Sequence, residues 1–167
     1  MKTYTIKELL KAGIHLGHHK SLWNPKASQY IFGTRNNMHI IDLEQTIFML
    51  KRVLTVVQNI VKNNGTILFI GKKSKQYYIN DNWFEIKGKF KKDPKMPFIP
   101  DLLIILDINK NDIYIKNAMK LNIPTVAIID TDCDPTGITY PIPGNNDSIN
   151  AIELYCGLIM NAIKKVK

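Results

Sequence analysis

Three apolar runs without alternation, TILFI (66–70), LLIILD (102–107) and TVAIID (125–130), constrain the fold of this 167-residue chain more than any other feature. A strand with one wet face alternates apolar and polar side chains, whereas an unbroken apolar strand is covered on both faces, as in a parallel sheet. Parallel neighbours need a crossover, and INKNDIYIKNAMKLNIP, between the second and third runs, supplies a helix of about ten residues with Pro124 opening the next strand. The expected class is therefore α/β, with helices flanking a parallel sheet. The length suits one core, so 1–167 is expected to form a single domain.

The helices announce themselves by their ends. Thr5 and Glu8 have capping-box spacing, and Ile6, Leu9 and Leu10 give an apolar face before Gly13, which predicts a short helix over 6–12. Asp42 with Gln45 opens a longer one, in which Leu43, Ile47, Leu50, Leu54, Val57 and Val61 recur at steps of three and four. It should stop at Asn63-Asn64-Gly65, with Gly65 taking the left-handed conformation that closes a helix. Between these two helices, QYIF and HII flank GTRNN and predict a small hairpin. The stretch 145–167 predicts a closing helix with Ile149, Ile152, Cys156, Ile159 and Ile163 on one face.

A formal charge of +9 points to a polyanionic partner. Residues 71–95 concentrate it, with eight lysines against three acids. The same stretch departs from the α/β pattern. QYYI reads as a short extra strand, but from about Asn82 to Pro100 there is no helical period, and Pro94, Pro97 and Pro100 favour extended chain. The basic segment 84–100 is expected to be held by something other than the domain core, since a free loop of that length is unusual. Trp23, Tyr30, Phe32, Tyr77, Tyr78, Trp83, Phe84 and Phe90 interleave with basic residues, a pattern that stacks on unpaired bases while neutralising phosphates. For Phe32, Tyr77 and Tyr78 a place in the packed domain accounts for the ring equally well.

GTILFIGKKSKQYY (65–78) resembles a phosphate loop without matching one. Its first glycine precedes the strand, five residues separate the glycines instead of four, and no helix start follows the lysines. A nucleotide-binding module or small enzyme built on the Gly71 turn is the alternative reading. Nothing else favours an enzyme: there is no nucleophile elbow, no dinucleotide fingerprint and no cysteine-protease signature. Two cysteines, Cys133 and Cys156, are too few for a disulfide scaffold or a four-cysteine zinc site. HLGHH offers His15, His18 and His19, and DTDCDPTG offers carboxylates after a strand. A zinc-like ion, a hydrogen-bonded structural role and RNA contact all remain open for these residues. The apolar runs are too short for a membrane span.

KELLKAGIHLGHH, WNPK, YIFGTRN, HIIDLEQT, GTILFIGKK, QYYIN, Trp83, PDLLIILD, KLNIPTVAIIDTDCDPTGITYPIPGNND and AIELY occur in this order from about residue 3 to 156. Together they resemble the second protein of the small ribosomal subunit in its bacterial and organellar form. The resemblance implies a flavodoxin-like domain that binds small-subunit ribosomal RNA and neighbouring ribosomal proteins near the head-body junction. No catalysis, small-molecule substrate or membrane is implied. In bacteria the family also helps dock the large mRNA-binding ribosomal protein.

Matched residue by residue, the resemblance puts His18, Lys20, Trp23, Asn24, Lys26, Arg35, Lys72, Lys73 and Lys75 on the RNA side, and Lys87, Lys89, Lys91 and Lys92 extend that side along the basic segment. It implies no cofactor beyond a structural divalent ion at His18, Asp130, Asp134 and Asp147. The family's helix after the GKK turn and its long helical hairpin after the tryptophan have no counterpart here. With 26 Ile, 21 Lys and 16 Asn against two Arg, the composition suggests an A+T-rich genome. No import signal is read at the N-terminus. The expected location is the ribosome of a mitochondrial matrix, encoded in the organelle, with a plastid or bacterial cytoplasm as alternatives.

Overall fold

A computed structural model describes residues 5–70, 76–79, 83–86, 99–109 and 111–166, with the backbone course alone for 76–79 and 83–86. Lys72, Lys73, Lys75, Lys87, Lys89, Lys91, Lys92 and the Gly71 turn lie outside the described residues.

The chain opens with helix α1 (Ile6–Lys11), closed at its start by the expected capping box: the Thr5 hydroxyl accepts from the Glu8 N–H and the Glu8 carboxylate accepts from the Thr5 N–H. Strands β1 (Leu16–His19), β2 (Ile31–Arg35) and β3 (Met38–Ile41) then form an antiparallel sheet in the order β1-β3-β2. The predicted hairpin is β2–β3. Asn36 and Asn37, both at positive φ (50° and 62°), make the two-residue turn that such a twist requires. Its first strand starts one residue after Tyr30, because Pro25–Tyr30 winds into a 3-10 turn capped by the Asn24 side chain. Strand β1 has no strong sequence signature: LGHH is short, polar and interrupted by glycine.

Helix α2 (Leu43–Lys62) starts on the Asp42 carboxylate, which accepts from the Glu44 N–H. Its end differs from expectation. Asn64, not Gly65, takes the left-handed conformation (φ 54°). The Gly65 N–H reaches back to the Ile60 carbonyl and the Asn64 N–H to the Val61 carbonyl, the paired bonds of a Schellman motif. Gly65 is needed for space instead: a Cβ there would lie 2.7 Å from Ile60 Cγ2. Asn64→Gly should therefore raise stability by about 0.5 kcal/mol, while Gly65→Ala should lower it. Urea denaturation of the two variants reads both signs, and the reverse order would contradict this assignment.

The main sheet has the order β6-β5-β4-β7-β8-β9. Four strands run parallel: β4 (Ile67–Ile70), β7 (Leu102–Ile105), β8 (Thr125–Ile129) and β9 (Tyr140–Pro143). The first three are the apolar runs, and each is buried at every position. Strands β5 (Gln76–Ile79) and β6 (Trp83–Ile86) add an antiparallel hairpin at one edge. The expected QYYI strand is thus present. Trp83–Ile86, expected as chain outside the core elements, is instead paired to it, because the free edge of β5 offers β6 a ladder of backbone partners.

One face of this sheet is covered by α1, α2 and α4 (Ile149–Lys164), through Leu9, Leu50, Val53, Val57, Tyr155, Leu158 and Ile159 among others. The other face carries α3 (Asp112–Lys120), with Tyr114, Ile115 and Ala118 against Leu103, Ile105 and Ala127. Helix α4 turns differently from expectation. Ala151, Tyr155, Leu158, Ile159, Ala162 and Ile163 are buried, whereas Ile149 is 71% exposed. The helix is apolar around most of its circumference, so period alone does not choose a face; the small Ala151 and Ala162 let its backbone approach the sheet. Among the described residues no helix is long and apolar enough to cross a membrane.

Candidate nucleic-acid interface

Strand β8 ends at Ile129 and the chain continues through Asp130-Thr131-Asp132-Cys133-Asp134; β9 ends at Pro143 and continues through Gly144 to Asp147 before α4. Both segments lie past the carboxyl ends of parallel strands, where folds of this class hold their ligands. Here the N-terminal sheet occupies that place. Gly17 of β1 packs against Thr131 so closely that a Cβ would lie 2.6 Å from Thr131 Cγ2. The His18 N–H donates to Thr131 Oγ1 at 2.8 Å, and the Asn24 N–H donates to the Thr131 carbonyl at 2.8 Å.

The His18 ring enters a ring of carboxylates. Its Nδ1 lies 3.0 Å from Asp130 Oδ1 and 3.7 Å from Asp132 Oδ1, and its Nε2 lies 3.2 Å from Asp147 Oδ2. The hydrogen bond to Asp130, aided by the charges of all three aspartates and opposed by burial, raises the His18 pKa to about 9. At neutral pH His18 is thus an imidazolium. Asp130, almost fully buried, is also bonded by the backbone N–H groups of Thr131 (2.6 Å) and Asn146 (3.1 Å). Asp132 accepts from the Asn109 amide at 2.7 Å.

Of the four residues expected to share an ion, the fold brings together His18, Asp130 and Asp147. Asp134 points elsewhere, to Lys26 Nζ at 2.7 Å, and this bond with that from Thr136 holds its pKa at about 2. Asp132 stands in its stead: His18, Asp130 and Asp132 each offer a donor atom within 4.8 Å of the others. One imidazole nitrogen and two carboxylate oxygens suit zinc or a similar divalent ion.

The expected RNA-side residues divide into two groups. His18, Asn24 and Lys26 are occupied within the protein: His18 by carboxylates, Asn24 by its cap on the Lys26 N–H (3.0 Å), and Lys26 by Asp134 and Thr136. Lys20, Trp23 and Arg35 are exposed on the N-terminal sheet and its loop. The Lys20 N–H donates to the Asn37 carbonyl, which ties the loop to the β2–β3 turn beside Arg35, and Trp23 rests its ring 5.4 Å from that of the buried His39. His15 is half-buried, and burial pushes its pKa down. Asp132 is among the carboxylates the sequence offered after the strand, although the resemblance left it out of the ion set, and Asn146 stands in the sequence as a departure from the family; Gly17 and Thr131 carried no signal beyond adjacency to residues already singled out.

A doubly wound α/β domain whose strand-end crevice is filled by its own N-terminal sheet is a member of the flavodoxin-like fold class. Comparison narrows the class further. A family model described as Ribosomal protein S2 matches residues 9–82 and 77–166, two pieces that meet where β5 turns into β6. The chain is 39% identical to the small ribosomal subunit protein uS2 of Azorhizobium caulinodans, over 95% of this chain and 65% of that protein. It is 36% identical to the uS2 proteins of Rhodospirillum centenum (96% of this chain, 84% of that one) and Gluconobacter oxydans (98% and 83%). The chain belongs to the ribosomal protein S2 family. It spans about two thirds of the length of several of its bacterial relatives and over four fifths of others.

Proposed function

We propose that this chain is a structural constituent of the small ribosomal subunit, and that the exposed tip of its N-terminal sheet, with Lys20, Trp23 and Arg35, contacts ribosomal RNA near the head-body junction. The observation that carries this reading is the separation of charge. One imidazolium faces three carboxylates behind β1, whereas Lys20 and Arg35 on the same sheet and its loop have no ion pair among the described residues and stand beside a partly exposed indole. His18 then serves as an anchor and not as a phosphate contact. The lysines between 72 and 92 are proposed as further RNA contacts on their sequence and the resemblance alone. A divalent ion at the anchor would be held by His18, Asp130 and Asp132 and would supply fixed positive charge in place of the proton. For the host we propose a mitochondrial ribosome, on the Ile, Lys and Asn bias and on the proline-rich segment 84–100 that stands in the sequence where the family has its helical hairpin.

Sucrose-gradient fractionation of the mitochondrial lysate should place the chain with small subunits; recovery only in a pool free of ribosomal RNA overturns the ribosomal reading. In vitro, Lys20→Ala with Arg35→Ala should reduce the log-log salt slope of RNA binding by about 1.8 for duplex contacts and about 1.4 for single strands. An unchanged slope means the tip faces solvent.

A further inference from the structure

We infer that Thr131 is the positioning residue of the RNA-contacting loop. This inference deepens the proposed RNA contact and rests on it. The loop Lys20–Trp23 that follows β1 is exposed along its whole length and makes no apolar core of its own. Its two ends return to one residue: the His18 N–H bonds the Thr131 side-chain oxygen, and the Asn24 N–H bonds the Thr131 carbonyl, each at 2.8 Å. Thr131 is 1% exposed, and its hydroxyl, while accepting from His18, is placed to donate to Asp130 Oδ1 at 3.4 Å. Its methyl group lies against Gly17, the one residue type that leaves room for it. Two short tethers to a single buried residue, one to its hydroxyl and one to its backbone carbonyl, hold the two ends of the span His18–Asn24, and a prearranged loop loses less freedom on meeting RNA.

The test uses the full chain, a small-subunit ribosomal RNA transcript of Gluconobacter oxydans as probe, and amide hydrogen exchange. Thr131→Val keeps shape and removes the hydroxyl; Thr131→Ser keeps the hydroxyl; Gly17→Ala pushes β1 away from Thr131 without altering it. Val53→Ala, in the α2 core and remote from the loop, serves as a control for lost stability alone. Expected are faster exchange at His18 and RNA affinity about fivefold to tenfold lower for Thr131→Val and Gly17→Ala, with Thr131→Ser within about twofold of the parent and Val53→Ala unchanged in affinity. Parent-like affinity in both loosened variants overturns the inference, as does an equal loss in Val53→Ala. If Lys20→Ala with Arg35→Ala leaves affinity unchanged, the RNA-contact reading itself fails, and the His18 exchange rate still reports on whether Thr131 holds the loop.

Discussion

His18→Ala should destabilise the folded chain by on the order of 2 kcal/mol at pH 6, because removal of the imidazolium deprives the buried Asp130 of the cation that bonds it while Asp132 and Asp147 stay close to the vacated ring position. The figure is set below the 3–5 kcal/mol typical of broken buried pairs, since the His18 side chain is one quarter exposed and Asp130 keeps two backbone donors. For 167 residues that is a fall in Tm of about 4 to 8 °C. The pH dependence follows from the sign of the shift. The folded pKa of about 9 stands above the ordinary 6.5, so the ion cluster contributes fully below pH 6.5 and its contribution fades as pH rises through 9. Chemical denaturation of parent and variant with chelator present should show the gap between them closing from pH 6 to pH 10. A gap independent of pH would mean that His18 acts by packing and not by charge.

The anchor explains why so much of the fold was legible in the sequence and so little of the site. Strands β4, β7 and β8 carry local signals, unbroken apolar runs, as do the starts of α1 and α2 with their caps. Strand β9 hides because YPIP has two prolines and no apolar run; the prolines are tolerated since it forms the sheet edge, where missing N–H donors leave no ladder bond unmade. Strand β1 hides for another reason: it is held by His18 and Gly17 meeting residues 112 to 129 positions later in the chain. No period or spacing in the sequence can express such a meeting. The choice between Asp132 and Asp134 turns on which carboxylate the loop after β8 directs inward, and there Lys26 draws Asp134 away.

This topology also bears on the nucleotide-binding alternative. Open α/β sheets expose a crevice at the carboxyl ends of their strands. In this chain the segments after β8 and β9 turn three carboxylates and the Thr131 hydroxyl, which accepts from the His18 N–H, onto β1, so the usual ligand position is spent on joining two sheets. A phosphate brought to that position would meet three carboxylates. The polar chemistry of this junction governs how the smaller sheet is held against the larger one.

The same junction contains a second position of large expected effect, at Gly144. Its N–H donates to the Ile129 carbonyl at 2.9 Å, which pins the backbone to β8, and a Cβ built there would overlap the Tyr155 hydroxyl oxygen and lie 3.1 Å from Ile14 Cγ2. Tyr155 is fully buried, so it has nowhere to retreat. Gly144→Ala should cost about 3 kcal/mol, and it should also loosen the anchor, because Asn146 and Asp147 follow directly. Tyr155→Phe discriminates between causes. Among the described residues the Tyr155 hydroxyl has no hydrogen-bond partner, and burial followed by the charge of Asp130 raises its pKa, so the hydroxyl stays protonated. Removing a buried group that makes no bond should leave stability unchanged or raise it by about 1 kcal/mol. It also vacates the space a Cβ at 144 needs, so the double variant should recover about 1 to 2 kcal/mol beyond additivity. Strictly additive losses in denaturant would show that the clash is not with the hydroxyl, and a costly Tyr155→Phe would show that the hydroxyl bonds to a group beyond the described residues.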